Sequence, residues 1–239
     1  MKANRVLLSS GISYFFSVVF FLFLSVACYG QATISDQTTN LVNQIEQELN
    51  SKQYDDCIAT CKELENVLIS ANQSETQMYV DCLFVKARAL YYSHRESEAI
   101  SLAEGALKIL ESIVGTNTRE YVDQIIVLAS YYFNFNPRKS AELQKLALRS
   151  YENLCGKNSE EAFLTRGILA SSLMQASMYD EAYDVYKKRL EIAEKMYTKE
   201  SEKYVDCLLD LALSLHYLGR INEMQSYISQ ARELARHIS

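Results

Sequence analysis

The chain is short of the residues that bend a backbone. Its 239 residues include one Pro and seven Gly, too few for a sheet fold, in which every strand must be joined by turn-forming residues. Trp is absent and there are three His, His94, His216 and His237. No His-Glu-x-x-His pair, glycine-rich phosphate loop or nucleophile elbow accompanies them. Catalysis needs convergent polar groups, so the chain reads as a non-enzyme without cofactor or metal. Basic clusters are missing as well. The net charge is −6, and loss of Lys2 and Arg5 would make the remainder more acidic still, which excludes nucleic acid as a partner because nothing compensates phosphates. What is present is 49% hydrophobic and 23% charged, enough to bury a core and too apolar for disorder.

The first segment differs in kind from the rest. Lys2 and Arg5 precede an uncharged stretch from Val6 to Ser35, whose middle, Ile12 to Val26, is dominated by Phe, Leu and Val. That is the charged n-region and apolar h-region of an export signal, with Gly30 and Ala32 as small residues at which cleavage would leave a chain beginning near Gln31. Two other readings stand beside it. The apolar run approaches the roughly 20 residues that span a bilayer, so residues 6–28 also read as a retained membrane anchor. Leu24-Ser25-Val26-Ala27-Cys28 resembles a lipobox with Cys28 as acceptor, although Ser25 stands where an aliphatic residue is wanted. All three take residues 1–32 as a signal peptide or anchor. They place the protein outside the cytoplasm, periplasmic or extracellular, or fasten it to a membrane through this segment alone.

After the leader the sequence repeats. Tyr79-Val80-Asp81-Cys82 returns as Tyr121-Val122-Asp123-Gln124, as Phe163-Leu164-Thr165-Arg166 and as Tyr204-Val205-Asp206-Cys207, while Cys57, Ala99, Ala141, Ala182 and Met224 form a second register. Both step by about 42 residues, and a fixed period of that size is the mark of a helical repeat array. Within each unit the apolar residues follow helical spacing: Leu83, Ala87 and Leu90; Ile125, Ala129 and Tyr132; Leu208, Ala212 and Leu215. Short breaks follow, then second helices, with Pro137 suited to a first turn and Gly115 and Gly156 to helix ends. The pattern predicts five antiparallel helix pairs in one repeat domain, 33–239, with units near 38–72, 78–115, 120–156, 162–198 and 203–239.

Tyr179-Asp180-Glu181-Ala182, then Tyr186 to Ile192, then Leu208 to Gly219 resemble the 42-residue tetratricopeptide repeats of kinesin light chain and their bacterial relatives. The Tyr29-Gly30-Gln31 junction is similar to leader ends of exported Bacteroidota proteins. The resemblance implies an all-α, right-handed solenoid. It also implies a small residue in each helix where the pair packs closely: Ala87 with Ala99, Ala129 with Ala141, Ala170 with Ala182, and Ala212 with Met224. The first unit departs from it at Ile45 and Glu48, and Lys145 falls on an expected apolar position, which leaves the register of that second helix open by a residue.

Cys57 and Cys61 lie at i and i+4, a spacing open to metal ligation, yet they match Ala99 and Ala103 one repeat later and so read as buried packing. Cys82 and Cys207 share another repeat position. Five cysteines follow the leader, an odd number that cannot all pair with one another. Tyr121, Tyr179 and Tyr186 read as core, whereas Tyr91 and Tyr92 read equally well as core or as binding surface.

Family resemblance further implies a concave face lined by the first helices, where a peptide is held. Carried over unit by unit, that face comprises Asp81, Phe84, Arg88, Tyr91 and Tyr92; Asp123, Ile126, Ser130 and Phe133; Leu164, Ser171, Met174 and Gln175; and Asp206, Leu209, Leu213 and Tyr217. It is apolar and aromatic, edged with acid, and lacks the Lys and Asn clamp by which some relatives grip a terminal carboxylate. The expected partner is a peptide or helix of another protein. The last helix, carrying Ile221, Ile228, Ala231, Leu234, Ala235 and Ile238, reads as amphipathic, with self-association through it as an expectation. The sequence thus points to a noncatalytic interaction scaffold or adaptor or, alternatively, to a membrane-tethered sensor or accessory subunit of an envelope complex.

Overall fold

A computed structural model describes residues 36–236; the signal or anchor segment 1–32, with Cys28, and the residues His237 and Ile238 lie outside the described residues. Among the described residues there are ten helices and no strand: α1 (Asp36–Asn50), α2 (Tyr54–Ser70), α3 (Gln77–Tyr92), α4 (Glu96–Val114), α5 (Arg119–Tyr132), α6 (Pro137–Leu154), α7 (Glu160–Gln175), α8 (Tyr179–Met196), α9 (Glu202–Tyr217) and α10 (Ile221–Ala235). They form five pairs, as the period predicts. The chain divides into two compact units, the first ending at Ser74 and the second beginning at Glu75.

In the first unit α1 packs on α2. Cys57 and Cys61 are both fully buried, in keeping with the packing role their repeat positions suggest. Ile45 is buried too, with its carbonyl 4.0 Å from the Cys57 Sγ. Glu48 is buried, and its carboxylate accepts from the Gln44 amide at 2.7 Å and from the Thr60 hydroxyl at 3.1 Å. Both bonds fall on Oε1, while Oε2 is buried without a hydrogen-bond partner, so the polar intruder of the first pair is only half satisfied.

The second unit, α3 to α10, is a stack in which each helix packs on the next. Local chemistry fixes the corners. Four first helices begin at a hydroxyl cap: Thr76, Thr118, Ser159 and Ser201 each accept the backbone N–H of the residue three further on, Tyr79, Tyr121, Ala162 and Tyr204. Such a cap satisfies an N–H that the helix itself cannot. The caps repeat at the same period as the core, a signal that apolar spacing alone does not reveal.

The turns inside the pairs repeat as well. Lys52, His94, Ser177 and Gly219 have positive φ, at 60°, 59°, 60° and 73°. Each turn donates from its last residue to a carbonyl five back, as Arg95 to Leu90 at 2.9 Å, Met178 to Leu173 at 2.9 Å and Arg220 to Leu215 at 2.9 Å, the bond pattern of a left-handed helix end. The pair α5–α6 is the exception. Pro137 opens α6, Asn136 is extended before it and caps the Lys139 N–H at 3.1 Å, because a residue preceding Pro is pushed out of helical geometry.

That altered entry resolves the register at Lys145. The buried positions of α6 are Ser140, Ala141, Gln144, Ala147 and Tyr151, one residue earlier than a strict 42-residue step predicts. Lys145 therefore turns outward and pairs with Glu181 at 2.6 Å. Ser140, not Ala141 alone, meets the next helix, α7, with its hydroxyl 3.1 Å from that of Ser172. Gln144 takes the inward place, fully buried, and neither amide atom of its side chain has a hydrogen-bond partner.

The predicted close-packing alanines Ala87, Ala99, Ala129, Ala170, Ala182 and Ala212 are all buried. Two apolar clusters lie in the second unit. One gathers Val122, Ile125, Ala147, Tyr151 and Ala162; the other runs from Ala141 through Phe163, Leu173, Tyr186 and Leu208 to Ala231. In α10 only Ala231 is fully buried, while Met224, Tyr227 and Leu234 lean on the core and Ile221 is exposed.

Candidate interaction face

The residues assigned to a common face divide according to where their helix stands. In α3 the run Val80, Asp81, Cys82, Leu83 and Phe84 is buried without interruption. Asp81 and Phe84 are consequently interior and not open, a correction to their assignment. Burial raises the Asp81 carboxyl to about 7, opposed by its hydrogen bond from Gln77, which measures 2.9 Å. Arg88 is half-buried; Tyr91 is half-buried and stacks on Tyr131 with ring centroids 4.6 Å apart, and Tyr92, exposed, meets Tyr91 edge to face.

In α5 and at its C-cap, Asp123, Ile126 and Phe133 are half-buried and Ser130 is exposed. Asp123 accepts from the Tyr151 hydroxyl, and burial raises its carboxyl above the usual range. In α7, Leu164, Ser171 and Met174 are half-buried and Gln175 exposed. Thr165 and Ser172, which a strict 42-residue step from Asp123 and Ser130 would select, are buried. Ile168, at the repeat position of Ile126, is half-buried and escaped the sequence reading, though the step from Ile126 would have found it.

In α9 the assignment describes a continuous strip. Asp206 is exposed, and Leu209, Leu213 and Tyr217 keep 46%, 47% and 53% of their surface. Three large apolar side chains at i, i+4 and i+8 of a helix share one face, and solvent is an unfavourable environment for all of them. Tyr217 is held in place by stacking on Tyr179, ring centroids 4.9 Å apart and planes 21° off parallel. Tyr179, half-buried, thus does more than fill a core position.

Beneath this strip lies a residue the sequence reading did not single out. At one first-helix position the pairs carry Leu83, Ile125, Gly167 and Leu208; at one second-helix position they carry Ala106, Ala147, Arg189 and Ala231. The Leu, Ile and Ala members are all buried. In the remaining pair the sizes are exchanged: Gly167 leaves room, and a Cβ there would meet the Arg189 guanidinium carbon at 2.9 Å. Arg189 lies over the Phe163 ring, 4.5 Å from its centroid, and its Nη1 donates to Asp210 at 2.6 Å. A charge has been threaded through a small-residue position toward α9. Burial raises the carboxyls of both Asp206 and Asp210, and Arg189 opposes the shift in each.

No family model matches the sequence, and no curated protein matches it. Solved structures do match. A putative kinesin light chain from Podosopora anserina with nearly identical TPR-like repeats superposes with a TM-score of 0.74 at 15% identity, over 84% of this chain and 96% of that one. The fold is tetratricopeptide-like. MamA matches with a TM-score of 0.58 at 15% identity, over 84% of this chain and 93% of that one. The apo form of RapI matches at 0.57 and 15%, over 90% and 88% of the two chains. These likenesses support the helical-repeat architecture read from the 42-residue period; the face on α9 rests on this chain's own residues.

Proposed function

We propose that this protein is a noncatalytic interaction scaffold that holds a peptide or helix of another protein against the face presented by its first helices, with α9 as the main anchor. The observation that carries the reading is the exposed strip Leu209, Leu213 and Tyr217, fixed on a rigid helix and braced by Tyr179. Helical repeats use the surfaces of stacked elements for binding, and a contiguous run of exposed apolar side chains on one helix marks an interaction site. The leader supports action outside the cytoplasm, as a free adaptor or, if it is retained, as a tethered subunit of an envelope complex.

The test is site-specific photocrosslinking in the cell of origin, with a photoreactive residue in place of Leu213 or, as a control, of Leu146, an exposed apolar residue on the second helix α6. Discrete protein adducts from position 213 and none from 146 are expected. Adducts only from 146, or none from either, would contradict the reading. The same adducts, fractionated with or without membranes, separate the free adaptor from the tethered subunit.

A further inference from the structure

The open face of α9 carries charge as well as apolar surface, and the two are arranged in order. Glu202 and Asp206 are exposed toward its start, Asp210 is half-buried below them, and Leu209, Leu213 and Tyr217 follow toward its end. Attraction to the positive end of a helix explains acid in the first turn only. Asp206 and Asp210 lie beyond it. Arg189 compensates Asp210 at 2.6 Å, and among the described residues no cation forms an ion pair with Asp206. A segment seated across Leu209 and Leu213 would dehydrate Asp206 at the same time. Arg189 acts on Asp206 without forming an ion pair with it, and a carboxylate taken out of water without a paired cation is unfavourable, so an occupant that brings one is preferred.

We infer, resting on the docking role proposed above, that the partner segment is basic and apolar: its apolar side chains cover Leu209, Leu213 and Tyr217, and a Lys or Arg seats against Asp206. The apolar strip is about 12 Å long along the helix axis, eight residues at 1.5 Å each, with the acid about one turn beyond its nearest end. An acidic segment is disfavoured by like charge against Glu202 and Asp206, which gives the face selectivity as well as affinity.

Two fluorescent helical peptides with identical Leu anchors, one carrying Lys at its polar positions and the other Glu, test this against the purified full chain by anisotropy. The Lys peptide should bind at least about tenfold tighter than the Glu peptide, with an advantage that shrinks in high salt. Asp206→Lys should reverse the preference, and the double variant Leu209→Ser/Leu213→Ser should release both peptides. These positions are exposed, and unchanged melting confirms that the variants fold. Equal affinities, with both peptides released by the double Ser variant, would overturn the charge preference and leave the docking face standing. Preference for the Glu peptide, or a Lys preference that survives Asp206→Lys, would do the same. Binding of neither peptide, or binding indifferent to the double Ser variant, would overturn the face and the inference together.

Discussion

Set side by side, the pair α7–α8 and the other pairs of the second unit solve one packing problem in opposite ways. Leu83, Ile125 and Leu208 stand at a position complemented by Ala106, Ala147 and Ala231, large on the first helix and small on the second. Gly167 and Arg189 invert that arrangement. Helix pairs keep their spacing as long as the summed volume is kept, so the repeat can exchange the sizes and gain a guanidinium in the layer between α7 and α9. The exchange has a thermodynamic cost: Gly in a helix interior is unfavourable, and the Arg189 Nε is buried without a hydrogen-bond partner. Position within the repeat sets volume; chemistry at that position remains variable.

The largest expected effect comes from breaking the exchange on one side. Arg189→Ala leaves a void over Gly167 and removes the cation from Asp210, and should destabilise the chain by about 2 kcal/mol. Adding Gly167→Leu to it restores the arrangement of the other pairs and should recover most of the loss. Chemical denaturation of the two single variants and the double variant gives the coupling directly, and additive effects would show that the two positions do not form a unit.

A second comparison is between α6 and the other second helices. Where they bury Ala103 or Tyr186, α6 buries Gln144 with an unsatisfied amide. Gln144→Leu should therefore stabilise the chain by about 1 to 2 kcal/mol, since it removes two buried polar atoms that have lost water and gained nothing. A melting temperature that falls would mean that the amide has a partner.

The turns supply a smaller contrast. Gly219 and Ser177 occupy equivalent positions with positive φ. Gly219→Ala should cost about 1 kcal/mol and Ser177→Gly should gain up to about 1 kcal/mol, because only Gly adopts that region without strain. Equal melting of both variants and the parent would place the turn outside the cooperative unit.

Asp81 and Asp206 occupy one repeat position, the first enclosed and the second open. The folded-state Asp81 carboxyl is raised to about 7, so the stability contributed by its protonated form is full below about pH 4 and is lost as pH rises through 7. Asp81→Asn should therefore raise the melting temperature at pH 8 and leave it nearly unchanged at pH 4. An equal shift at both pH values would contradict a buried, raised carboxyl.

Much of this was legible in the sequence. The period placed all five pairs, Pro137 opened α6, and Gly115 and Gly156 closed their helices as their left-handed geometry requires. Asp206, Leu209, Leu213 and Tyr217, which the repeat register selects, are exposed together on α9. Three things were hidden for physical reasons. Register in α6 slipped by one because the Pro137 entry changes the turn. Asp81 and Phe84 look like face residues by register, but their burial is a tertiary property. Arg189 escaped because a search for recurring apolar residues passes over the one position where size is traded between helices.

The central claim is that the exposed strip of α9 is where another protein is held. Co-purification from the cell of origin, comparing the parent chain, Leu209→Ser/Leu213→Ser and Leu146→Ser at matched expression and melting temperature, tests it most directly. The account predicts a partner band retained by the parent and by Leu146→Ser and lost with the double Ser variant. A partner retained equally by all three chains would contradict it.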